Sequence, residues 1–165
     1  AAWPVEGLEL PGRRAIRDRF AAIEPGLRKT YARGRVEMDH AVHNPTKVHF
    51  HEWRKRVKYL RHQVEILEPL WPEVMDAHAT SLDRLGELLG DEHDLAVLVQ
   101  LLSEVPTLCP DPTERAMVVA LAQYRRRELQ RAAITLGMRA YAETPDRFVE
   151  RLGSYWKARG FELGG

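Results

Sequence analysis

The densest chemistry in the sequence lies in HEWRKRVKYLRHQVE, residues 51–65. Arg54, Lys55, Arg56, Lys58 and Arg61 are cationic. His51 and His62 join them on protonation, which an imidazole undergoes near pH ~6.5. Groups of these types bind anions. A guanidinium grips phosphate through two parallel hydrogen bonds, an ammonium acts as a mobile point charge, and an imidazole N–H donates one further bond. On a helix advancing by about 100° per residue, His51, Arg54, Lys55, Lys58, Arg61, His62 and Glu65 share one face, within about 120° of arc. Trp53, Val57, Leu60, Val64 and Leu67 fall on the opposite face, and Arg56 lies outside both groups. Like charges three or four residues apart repel by about 0.3 kcal/mol per pair. A stripe with a single acid, Glu65, at its far end therefore points to a bound anion. The alternatives are a solvated face or a salt-bridge seam inside the fold. From His51 to His62 the stripe runs roughly 16 Å at about 1.5 Å per residue, which suits a chain of phosphates better than one phosphate.

The elements that must carry this stripe all read as helices. Val, Ile and Thr are sparse, and no segment alternates apolar and polar residues for long. Punctuation by proline, glycine and capping residues predicts helices over 12–24, 26–42, 46–68, 72–89, 91–104, 111–142 and 144–158. The first two divide at Pro25-Gly26. The fourth and fifth divide at Gly90, a left-handed cap, with Asp91 capping the helix that follows. Gly137 is expected to bend or weaken the sixth helix. Short links between long amphipathic helices predict an all-α antiparallel bundle, a single domain over residues 1–165.

Charge is segregated along the chain although its formal net charge is +1. Residues 28–61 hold ten basic and three acidic side chains, and residues 62–114 hold one basic and twelve acidic. The first block suggests a polyanion partner, unless the second neutralises it across the fold. Arg28, Tyr31 and Arg35 adjoin on one side of the helix before the stripe, with Lys29 and Arg33 on another, and periodicity does not say which side turns toward it. No apolar run approaches the length of a membrane span.

Other candidate sites are weaker. His40 and His43, and His49 and His51, lack metal-ligand spacing, so no metal site is expected. The one cysteine, Cys109, has no partner for an internal disulfide and no triad around it. Asp94 could orient Arg54 or Arg61. Arg125, Arg126 and Arg127 span too wide an arc for all three to point inward. Trp53, Trp71, Tyr155 and Trp156 are expected in the core or the helix seams. With Trp53 opposite the stripe, no stacking platform for single-stranded nucleic acid forms along it.

The sequence resembles the CHAD domain, the conserved histidine α-helical domain. The family's second-repeat motif, His-x-x-Arg-Lys-x-x-Lys-x-x-Arg followed by Tyr, is matched by His51, Arg54, Lys55, Lys58 and Arg61, with His62 where Tyr is usual. YARGR at 31–35, LGDEHDLAVL at 89–98 and LGMRAYAETPDRFVERLGSYW at 136–156 also resemble family segments. The resemblance implies one four-helix-bundle-like half of a two-repeat domain, built around a basic cavity that binds inorganic polyphosphate. It carries over His51, Arg54, Lys55, Lys58 and Arg61 as binding residues, with Arg28, Arg35 and His62 behind them. The first repeat has no counterpart here, so a missing segment or a second copy of the chain, as a homodimer, would complete the site. The expectation is a non-enzymatic polyphosphate-binding module without cofactor or metal, cytoplasmic, at polyphosphate granules. Its binding should tighten below about pH 6.5 as histidines charge. The alternatives are a nucleic-acid-binding protein, an accessory module of a phosphate-metabolising enzyme or an enzyme itself, and a purely structural bundle.

Overall fold

The structure, a computed structural model, describes residues 13–162, with side chains from 19 to 159. It is all helical, with no strand among the described residues. Five long helices follow one another: α1 (Arg13–His43), α2 (Lys47–Ile66), α3 (Pro72–Glu104), α4 (Pro112–Ala140) and α5 (Pro145–Glu162). Short 3-10 turns at Glu68–Leu70 and Pro106–Leu108 join α2 to α3 and α3 to α4. The first residue of the expected 12–24 helix lies outside the described residues.

Two expected breaks are absent. Pro25 sits inside α1, and Gly90-Asp91 lies in the middle of α3. Both helices continue because their apolar phase continues. Phe20, Leu27, Tyr31 and Ala41 are buried on one side of α1, spaced by whole helical turns across Pro25. Leu82, Leu85, Leu89, Glu92 and Ala96 alternate three- and four-residue steps straight through Gly90 and are all buried. Asp91 therefore caps nothing and stands exposed mid-helix. Gly137 likewise leaves α4 unbroken. A Cβ there would come 2.5 Å from the Trp53 ring, so its function is to admit that ring.

Other boundaries fall where the capping chemistry put them. Thr46 accepts a bond from the His49 N–H at 3.3 Å at the start of α2. Asp111 accepts from Thr113 and Glu114 N–H at 2.7 and 2.9 Å at the start of α4. Thr144 accepts from Arg147 N–H at 3.3 Å at the start of α5. Each satisfies amide donors that a helix start leaves unpaired.

Helices α1 to α4 pack antiparallel in chain order, and α5 returns along α1. Phe20 meets Trp156 at 5.6 Å between centroids, and Arg28 bonds Asp146 at 2.7 Å. The core runs through Trp53, Val57, Leu60 and Val64 of α2, all fully buried, together with Leu82, Leu85 and Phe148. Trp71 and Tyr155 close a seam edge to face at 5.1 Å. The α3–α4 hairpin is pinned by Glu92, 1% exposed. Its Oε1 accepts from Arg126 Nε and Nη2 at 3.0 and 2.7 Å and from Gln130 at 2.9 Å. Of the three consecutive arginines, Arg126 thus turns inward, and Arg125 and Arg127 are exposed.

Candidate anion-binding face of the second helix

The fold sets α2 with its apolar stripe in the core and its basic stripe outward, along the flank of α3. Lys47 donates to Gln100 at 2.5 Å, the His51 and His93 rings stand 4.9 Å apart, Arg54 lies against Gly90, and Arg61 bonds Asp83 at 2.8 Å. These contacts step down α2 and up α3 in one antiparallel register. The guanidinium of Arg54 rests beside the α3 backbone at Gly90, 3.4 Å from where a Cβ would stand, an ordinary contact distance.

Along this flank the stripe divides into two halves. At the C-terminal end its charge meets carboxylates at the partly exposed surface. Arg61 pairs with Glu65 at 2.9 Å and with Asp83, and His62 faces Glu65 at 3.2 Å. Carboxylates thus face the stripe at this end, on the surface and not in a seam inside the fold. At the N-terminal end the charge is open. Arg54 and Lys58 have no acidic partner among the described residues, and Lys58 is exposed. Lys55 meets Glu52 at 2.6 Å on the surface, a pair of the kind that contributes about 0.5 kcal/mol or less. The Nδ1 atoms of His51 and His93 and the Nε of Arg54, like that of Arg61, are buried without a hydrogen-bond partner among the described residues. Burial, with His51 and Arg54 alongside, holds His93 below the usual imidazole range.

Two expected binding residues leave the site. Arg28 bonds Glu24 at 2.5 Å and Asp146, and Arg35 donates to the backbone oxygens of Tyr141 and Glu143. With Tyr31, which stacks on Phe148 at 4.2 Å and donates to the Ala140 carbonyl at 3.2 Å, they close the corner between α4 and α5. Tethered to that corner, they do not turn to the stripe. Asp94 bonds neither Arg54 nor Arg61; Asp83 takes the role with Arg61. His93 is the group that sequence reasoning missed. It lies in the LGDEHDLAVL segment, two residues beyond the mistaken cap, and only a continuous α3 turns it to His51.

A family model for the CHAD domain matches residues 3–103. The chain belongs to the CHAD-domain family. The matched span holds the whole CHAD basic stripe and its α3 counterpart from Asp83 to Gln100. It ends before α4 and α5, and so before the 136–156 segment that also resembles the family. No curated protein and no solved structure matches this CHAD chain. Among its described residues no helix is long and apolar enough to cross a membrane.

Proposed function

We propose that this chain binds inorganic polyphosphate along the N-terminal half of the α2 stripe, without catalysing a reaction on it. The family is associated with polyphosphate in general. The observation that carries the reading here is that Arg54 and Lys58 keep their charge unpaired although the acid-rich α3 packs beside them. Arg54 offers a guanidinium fork, Lys58 and Lys55 offer ammonium groups, and the His51 and His93 rings stand beside them. A bound phosphate chain would contact the accessible ends of these side chains and relieve the repulsion along the helix. The reading extends to a cytoplasmic protein at polyphosphate granules, with a second copy of the chain able to supply a facing stripe.

Titration calorimetry with a medium-length polyphosphate tests this, with single-stranded DNA of equal charge as competitor. The expected result is saturable binding that the DNA displaces poorly. Equal competition would move the reading to nucleic acid. Release of orthophosphate by the chain, stopped by a chelator, would move it to an enzyme.

A further inference from the structure

A second cluster of ligand-type side chains gathers where α1 ends and α2 begins. Glu37 and His40 stand one turn apart on α1, with His40 Nδ1 3.3 Å from Glu37 Oε2. His49, in the first turn of α2, brings its ring to 5.4 Å from that of His40, centroid to centroid. One ligand atom from each of the three lies within 4.8 Å of the others. Asn44, in the intervening turn, places its amide nitrogen 3.5 Å from His49 Nε2. The sequence shows only Glu37 and His40 at a ligand spacing, i, i+3 on one helix; the hairpin turn brings His49 to them.

The geometry points to a binding site for a divalent first-row transition ion, zinc in the first instance, held by Glu37, His40 and His49. Two imidazoles and one carboxylate are a three-ligand set that zinc accepts, leaving a fourth position for water or for the Asn44 amide oxygen once that amide is turned. Bonds of about 2.1 Å in a tetrahedron need ligand atoms about 3.4 Å apart. Rotation of the side chains closes the remaining gap, because the His40 side chain is 50% exposed and free to move, while Glu37 at 20% is more fixed. The opposed ends of α1 and α2 meet here, so their dipoles offset and the Glu37 carboxylate supplies the local negative charge. Lys47, the nearest cation on α2, is turned away to Gln100. Asp39 is engaged with His43 at 3.1 Å on the outer side of α1.

By helical spacing His49 lies about 160° around α2 from His51. The ion would therefore tie the α1–α2 hairpin on the side of α2 away from the basic stripe and would leave the polyphosphate site open. The inference stands whether or not polyphosphate binds.

The test is calorimetric titration of the chelator-stripped full chain with zinc chloride, with Co2+ absorption and melting curves alongside. Expected are one saturable equivalent, tetrahedral ligand-field bands with Co2+, and a melting temperature that rises with zinc. His40→Ala and His49→Ala should each weaken binding by at least about tenfold, since even changes outside the ligand set commonly cost that much. His62→Ala and Cys109→Ser should leave it unchanged. If an alanine variant melts lower without metal, His40→Gln repeats the comparison. Absence of saturable binding, or binding that survives loss of both His40 and His49, would overturn the site.

Discussion

At the scale of single residues, the contrast that matters is between cations with and without carboxylate partners. Arg28, Arg61, Arg126 and Arg151 all have one. Arg54 and Lys58 have none among the described residues, and spacing alone could not separate them from Arg61, whose partner Asp83 lies on another helix. Arg28 and Arg35 were misplaced for the same reason, because the partners that tether them to the α4–α5 corner sit more than 100 residues away. Gly90 gives a direct check on its revised role. A Cβ there would meet the Arg54 guanidinium at ordinary contact distance, 3.4 Å, in mid-helix backbone. Gly90→Ala should therefore raise stability in urea melts by about 0.5–1 kcal/mol, whereas a left-handed cap would make it a loss. His78 sets the acid limit. Burial, and then the Arg151 charge, lower its pKa from 6.5 to about 4. The folded protein thus resists a proton that the unfolded chain accepts. Stability is complete above about pH 6.5 and declines as pH falls toward 4, by about 3 kcal/mol at most. In stability measured from pH 7 to 4, His78→Gln should flatten this decline. Polyphosphate titrations between about pH 7 and 5.5 test tightening by histidine protonation while less than half of this contribution is lost.

At the scale of elements, the bundle was legible from periodicity and its helix count was not. Proline and glycine read as stops, and a local rule of that kind holds unless packing overrides it. Here a buried stripe in unbroken phase crosses both Pro25 and Gly90 and holds each helix straight through, against a proline cost of about 3 kcal/mol in the interior. The phase itself was in the sequence, at 82, 85, 89, 92 and 96, and would have joined the two halves of α3 had it outweighed the glycine. The charged member of that row, Glu92, is the one whose type argues against burial, since charged side chains go inside only when paired. Its pairing with Arg126 and Gln130 comes from α4. Glu92→Ala should cost about 3 kcal/mol by leaving Arg126 partly buried without its carboxylate, read as a lower urea midpoint. Its effect on polyphosphate affinity at temperatures where the variant stays folded should be small.

At the scale of the whole molecule, the segregated charge of the sequence becomes two neighbouring helices of opposite sign. The acidic block answers the basic one at Arg61 and leaves it unanswered from His51 to Lys58, so an average net charge of +1 conceals a local cationic track. Binding there should release counterions and weaken with salt, by a slope of about 0.7 per phosphate neutralised if polyphosphate behaves as other flexible single-stranded polyanions do. The most direct measurement is that slope, from polyphosphate titrations at several salt concentrations, for the wild-type chain, for Arg54→Ala/Lys58→Ala, and for Arg127→Ala/Arg131→Ala on the exposed face of α4 with the same loss of charge. Binding on the α2 stripe predicts a slope shallower by about 1.4 and a large loss of affinity for the first variant, with the second close to wild type. Equal effects of the two variants would contradict it, because the polyanion would then be responding to total charge and not to this face.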